Sequence, residues 1–191
     1  DAQESRGLGD VYKRQGLHWR RPTGRALPLE DSGMNCIFCQ IAAGTLPAAL
    51  VYRDEHCMAF MDVHPLGEGH LLLIPQQHVE KLEQLPGFIR QHLYQVFDGL
   101  LAAQRRAGYG VEGTHLLVND GRATNQHIPH AHLHLIPRKR GDGLGFAGRL
   151  LLHFTGLFGR RTQLEVLQQQ ATSIAEQVRV PWVSETPVGN R

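Results

Sequence analysis

The chain has 191 residues, of which 41% are hydrophobic and 20% charged, and its formal net charge is only +2. That balance is globular and excludes a wholly disordered protein, while no run approaches the ~18 to 20 apolar residues of a membrane helix. The charge excess is small and scattered, which argues against a chain built mainly to hold nucleic acid or a membrane surface.

Residues 1–33 carry six basic and five acidic residues with Pro22 and Pro28, show no helical or strand period, and read as a disordered arm. The stretch SRGLGDVYKRQ resembles translated adaptor sequence, so the native protein is expected to start at Met34, with the leader non-native. The first twenty residues lack the apolar core of a secretory signal. With three cysteines, an odd number, a reducing, cytoplasmic setting is expected. There, Cys36-Ile-Phe-Cys39 reads as a metal half-site, a redox pair or two packed thiols.

From Cys36 onward the pattern tightens. CIFCQIAAG places Ile37, Phe38 and Ile41 at helical spacing and predicts a short helix stopped by Gly44. LVYRD and CMAFMD predict a hairpin turning at Asp54-Glu55, and HLLLIP (70–75) a buried strand between breakers. A helical turn is expected between Val79 and Leu85. Residues 88–108 align Leu93, Val96, Phe97, Leu100 and Leu101 on one face and end in basic residues and Gly108, which predicts the one long helix. THLLVND (114–120) and HAHLHLIP (130–137) predict two more strands. Glycines crowd 141–148, and a further helix is expected over 162–178. Strands gathered around one helix, without β-α-β alternation, predict an α+β domain with a mostly antiparallel sheet.

Of the 12 histidines, three alternate in HIPHAHLHLIPR (127–138). On a strand, His130, His132 and His134 share one face while Ala131, Leu133 and Leu135 face the core. A row of polar, mutually repelling imidazoles has little packing value. A neutral imidazole, however, can attack phosphorus and leave again while its neighbours hold phosphate oxygens. His56, His92, His115 and His153 show no partner pattern and read as structural or surface residues.

His130-Ala-His132-Leu-His134-Leu-Ile resembles the signature of the histidine triad (HIT) family of nucleotide hydrolases and transferases. Cys36-Ile-Phe-Cys39-Gln-Ile, Phe60-Met-Asp62, Gly69-His70-Leu-Leu-Leu-Ile-Pro75, His78-Val and Asn119-Asp-Gly121 follow the family in order, across residues 35–141. The resemblance implies a HIT-like α+β fold: a five-stranded, mostly antiparallel sheet with one long helix and a short N-terminal helix, in a catalytic domain over 34–143. Residues 144–191 are left as a partly helical extension. It implies that His132 attacks the α-phosphorus of a nucleotide, that His134, Gln126 and Asn119 hold phosphate oxygens or the leaving group, and that His70 supports the catalytic imidazole. Asp62 falls where ribose hydroxyls are bound, and Ile37, Phe38 and Phe60 where the base is sandwiched. His127 departs from the family pattern and is either a proton donor to the leaving group or a surface residue.

Cys36 and Cys39 have the spacing of half a zinc site, which His78 and His130 would complete. The resemblance to zinc-containing bacterial-type members implies a structural zinc, no organic cofactor, a nucleotide as small-molecule partner, and a homodimer. Dinucleoside polyphosphates, nucleoside phosphoramidates and nucleotide sugars are the candidate substrates. A nucleotide- or zinc-binding module with little turnover is the rival reading, and a zinc hydrolase using the triad as ligands is a third. The run Arg138-Lys139-Arg140, with Arg149, Arg160 and Arg161, either steers polyphosphates or is a solvated charge cluster.

Overall fold

The computed structural model describes residues 36–155 and 161–179, so the proposed arm at 1–33, the start at Met34, and Arg160 lie outside the described residues. Helix α1 (Ile37–Ala42) is followed by strands β1 (Leu50–Arg53), β2 (Cys57–Met61) and β3 (Leu71–Pro75). A single helical turn (Leu82–Gln84) leads into the long helix α2 (Gly87–Arg106). Strands β4 (Gly113–Val118) and β5 (Leu133–Arg138) precede helices α3 (Gly143–Phe154) and α4 (Leu164–Ala175). No helix among the described residues is long and apolar enough to cross a membrane.

The five strands form one antiparallel sheet in the order β1-β2-β3-β5-β4. The period of two in each strand sorts side chains onto two covered faces. On one, Val51, Ala59, Leu71, Leu73, Leu133 and Leu135 meet Leu93, Val96 and Leu100 of α2 and Leu167, Ala171 and Ile174 of α4. On the other, Met58, Phe60, Leu72 and Ile74 pack under Cys36, Phe38 and Cys39 of the α1 segment. At the far end of that second face, Ile136 and Leu66 receive Phe146 of α3.

One expectation needs correction. His130 and His132 do not lie in the sheet ladder, which begins at Leu133; they sit on an extended approach where the Ala131 amide donates to the Val79 carbonyl at 2.7 Å. The alternation persists there, since Ala131 joins the core with Leu133 and Leu135. The glycine-rich stretch after 141 is a helix, α3. Low intrinsic propensity is overridden by tertiary anchors: Phe146 inserts beside Ile136, and Arg149 Nε donates to the Leu66 carbonyl at 2.8 Å.

Candidate active site

His134 lies in the ladder at the centre of the site, on β5 opposite Leu72 on one side and Leu117 on the other. Its ring continues a row that runs from Phe38 to His132 (5.3 Å between centroids) and from His132 to His134 (4.9 Å). All three triad histidines are buried, His130 completely.

Fixed backbone groups assign the protons. His130 Nε2 is 2.9 Å from the Pro75 carbonyl and must donate to it, so Nδ1 carries the lone pair. His132 Nδ1 is 2.6 Å from the His130 carbonyl and likewise donates, which leaves its lone pair on Nε2, a nitrogen with no hydrogen-bond partner among the described residues. The Leu66 amide donates to His70 Nδ1 at 3.1 Å, so His70 Nε2 carries the proton and donates to His134 Nδ1 at 3.0 Å. His134 Nε2 is therefore an N–H, buried and without a partner among the described residues. The row thus presents a nucleophilic nitrogen on His132 beside a hydrogen-bond donor on His134, the pairing that attack at phosphorus requires.

The relay also needs its imidazoles neutral. Burial pushes the His70 pKa down to about 4, only partly opposed by the Asp62 carboxylate 3.6 Å from Nδ1. Desolvation lowers His132, and desolvation with the neighbouring imidazoles holds His134 well below the usual range. Gly69 fixes the entry to His70: its φ is +78°, and a Cβ there would come within 2.6 Å of the Tyr109 ring.

The His70 depression has a consequence for stability. Above pH 6.5 neither folded nor unfolded chain binds that proton. Below it only the unfolded chain does, so stability falls with pH until both are protonated below about 4. At about 1.4 kcal/mol per pH unit the loss approaches about 3 kcal/mol. Urea unfolding of wild type and His70→Gln between pH 7 and 4 is expected to show a steeper decline in the wild type; equal slopes would refute the assignment.

The other residues expected at the site divide. Asp62 is buried; its Oδ1 accepts from the His64 amide at 2.8 Å, capping the loop, and its Oδ2 faces His70 Nδ1 at 3.6 Å. Asn119 is buried just after β4, where the Val118–Leu133 register carries it to the level of His132. Phe38 and Phe60 are in contact (5.6 Å) and both are buried, with the Phe38 ring 5.3 Å from that of His132. Ile37, on the same helix as Phe38, is 38% exposed. Gln126 accepts from the Gly121 amide and donates to the Glu80 carbonyl, each at 2.7 Å; the side chain is spent on bracing its loop. His127 is exposed and its Nε2 donates to the His153 carbonyl at 3.0 Å. His153 itself, which carried no pattern in the sequence, comes back on α3 to lie 5.9 Å from the His134 ring. Arg138, Lys139 and Arg140 are paired with Asp142, Glu68 and Glu112, which weakens a steering role for that run.

Beside the row, Cys36 Sγ, Cys39 Sγ, His78 and His130 each offer one ligand atom within 4.8 Å of the others. His130 Nδ1 stands 3.5 and 3.6 Å from the two sulfurs, and His78 Nδ1 3.3 Å from Cys39 Sγ. The cysteines are free, so no disulfide explains their approach. Burial and the adjacent Cys36 push the Cys39 thiol up to about 12. A set of two sulfurs and two imidazoles, buried except for the half-buried His78 and with the His130 lone pair already turned inward by Pro75, fits a divalent cation that would stabilise thiolate.

A family model described as HIT domain matches residues 43–141. The chain is 35% identical to the adenylylsulfatase of Arabidopsis thaliana over 130 residues, 68% of this chain and 66% of that protein. It is 33% identical over 118 residues to the adenosine 5'-monophosphoramidase of Candida albicans, 60% of this chain and 78% of that protein. A Zn-bound histidine triad family protein from Mycobacterium smegmatis superposes with a TM-score of 0.60 at 27% identity, covering 76% of this chain and 94% of that one.

Proposed function

This chain belongs to the HIT domain family, and from that premise we propose that it cleaves nucleotides at the α-phosphorus through a covalent nucleotidyl-His132 intermediate. The general activity is that of a HIT-family nucleotide hydrolase acting on phosphorus anhydride or phosphoramidate bonds, in keeping with the adenylylsulfatase and phosphoramidase relatives. The observation that carries the mechanism is the tautomer of His132: with Nδ1–H bound to the His130 carbonyl, Nε2 holds a lone pair.

In the proposed reaction, Nε2 of His132 forms a bond to the α-phosphorus as the bond to the leaving group breaks, its electron pair departing with that group. His134 Nε2–H donates to a phosphoryl oxygen as negative charge redistributes, and the Leu66–His70–His134 chain keeps that proton in place. Water then displaces His132, restoring the neutral imidazole and releasing a nucleoside monophosphate. Asn119 is assigned to the phosphoryl oxygens, Asp62 Oδ2 to the ribose hydroxyls and Ile37 to the base, while Phe38, Phe60 and Gln126 are positioning residues.

Cys36, Cys39, His78 and His130 are proposed to hold one zinc ion with no position left for substrate water. When bound, the ion supplies thiolate stabilisation and a cross-link between the α1 segment and the approach to β5. A homodimer is proposed through the β4 side of the sheet, where β4 is the edge strand among the described residues and exposes Leu116 and Val118. The test of the function is a substrate panel of adenosine phosphosulfate, diadenosine tetraphosphate and adenosine phosphoramidate, with acid-quenched protein examined by mass for a nucleotidyl adduct on His132. Turnover without any adduct, abolished by chelation, would favour a zinc hydrolase instead.

A further inference from the structure

The His70–His134 hydrogen bond is braced from the far side of the sheet. Both imidazoles share a face with Leu72, while Leu71, Leu73, Leu133 and Leu135 point the other way, toward α2 and α4. From that opposite face Gln104 of α2, fully buried, reaches the backbone: its Nε2 donates to the Gly69 carbonyl at 2.7 Å and to the Leu135 carbonyl at 3.3 Å. One amide thus ties the peptide before His70 to the peptide after His134. Its Oε1 is buried with no hydrogen-bond partner among the described residues, so the side chain is kept against a desolvation cost that packing alone does not require. The peptide on the other side of Gly69 is held as well. The Gly69 amide donates to Gln170 Oε1 at 3.1 Å, and Gln170 is carried there by Leu167, Ala171 and Ile174, the buried stripe of α4. That helix begins beyond the 43–141 segment matched by the family model.

Glycine has the greatest backbone freedom of any residue, and Gly69 needs it at its φ of +78°. The same freedom would let the His70 ring swing, because the two dihedrals of Gly69 set the direction of the His70 side chain relative to Leu66, whose amide must meet Nδ1. Gln170 fixes the peptide plane before Gly69. Gln104 fixes the plane after it, together with the Gly67 carbonyl, which accepts from the His70 amide at 3.2 Å. We propose that Gln104 and Gln170 are positioning residues for the phosphoryl-transfer step. Acting on backbone from behind the sheet, they aim His70 so that its Nε2–H meets His134 Nδ1 and leaves the His134 Nε2–H turned to the phosphoryl oxygens. Helix α4, outside the matched segment, is thereby part of the catalytic apparatus.

This role deepens the nucleotidyl-transfer reading and rests on it, so it is measured both with and without turnover. On a substrate of the panel that the wild type hydrolyses, Gln104→Leu is expected to lower kcat about tenfold and Gln170→Leu about fivefold, with KM within about twofold. Gln170→Glu keeps an acceptor for the Gly69 amide and is expected to recover most of the loss. Once the His134 ring is gone its aim no longer matters, so in a His134→Ala background either leucine substitution is expected to cost less than about twofold in kcat. The same fractional loss in that background, a loss in KM alone, or a Gln170→Glu as slow as Gln170→Leu would overturn the role and leave both side chains as packing. In the substrate-free protein, nitrogen NMR shifts of the His70 ring are expected to show a single Nε2–H tautomer in the wild type and a mixture in both leucine variants. An unchanged tautomer in both would overturn the proposal even if the enzyme reading stood. Absence of turnover by the wild type on every substrate would instead remove the enzyme reading, and the aim of His70 would be decided by that tautomer. Should Gln104→Leu not fold, the Gln170 variants carry both measurements.

Discussion

Replacing His132 by alanine is expected to lower kcat by about 10^3-fold or more on any substrate the wild type hydrolyses, while AMP still binds. The size follows from what the substitution removes. No other nitrogen of the triad is equipped to take over: His130 turns its lone pair toward the sulfurs, and His134 presents an N–H whose acceptor nitrogen is already engaged by His70. Water would have to attack directly, without division of the displacement into two steps. His134→Ala removes a donor rather than the nucleophile, so a smaller loss of about 10^2 to 10^3-fold is expected. Steady-state rates for both variants, with AMP affinity as the control for folding, check the ordering. A His132→Ala enzyme within tenfold of wild type would end the covalent mechanism.

The second large effect is expected at the cysteine cluster. Cys36→Ser should reduce bound zinc from about one ion per chain to near zero, measured by elemental analysis of purified protein. If free zinc stands about a thousandfold above its dissociation constant, losing the ion removes about 4 kcal/mol, roughly 10 °C in Tm for a chain of this size. Activity is expected to fall far less than in His132→Ala, by about tenfold, because the cluster acts on catalysis only by holding His130, whose carbonyl fixes the His132 ring. Full zinc retention by Cys36→Ser would remove this assignment. Activity lost in proportion to zinc would make the ion part of the chemistry.

Much of this molecule is written along the chain. Apolar runs at 57–61 and 71–75 marked buried strands, the apolar stripe of 88–108 set the long helix, and alternation across 130–135 separated three imidazoles from Ala131, Leu133 and Leu135. Those are local properties, since a strand's faces follow from its own geometry. The Cys36–Cys39 spacing also announced half of a donor set, although its other half, His78 and His130, lies 39 and 94 positions away.

Sequence alone could not say which nitrogen of each histidine bears the proton. That was decided by Leu66, Pro75 and His130 backbone groups, brought to the rings by sheet register and loop packing. Nor could spacing show that Phe38 and Phe60 are covered, that Gln126 is consumed by its loop, or that His153 returns to the cleft. Helix α3 is the plainest case: glycines weaken its local preference, and what forms it is Phe146 burying itself against Ile136 on a strand already in place. Periodicity fixes a side chain's face because it depends on the chain's own repeat; a proton's position and a helix held only by packing depend on groups that folding alone makes neighbours.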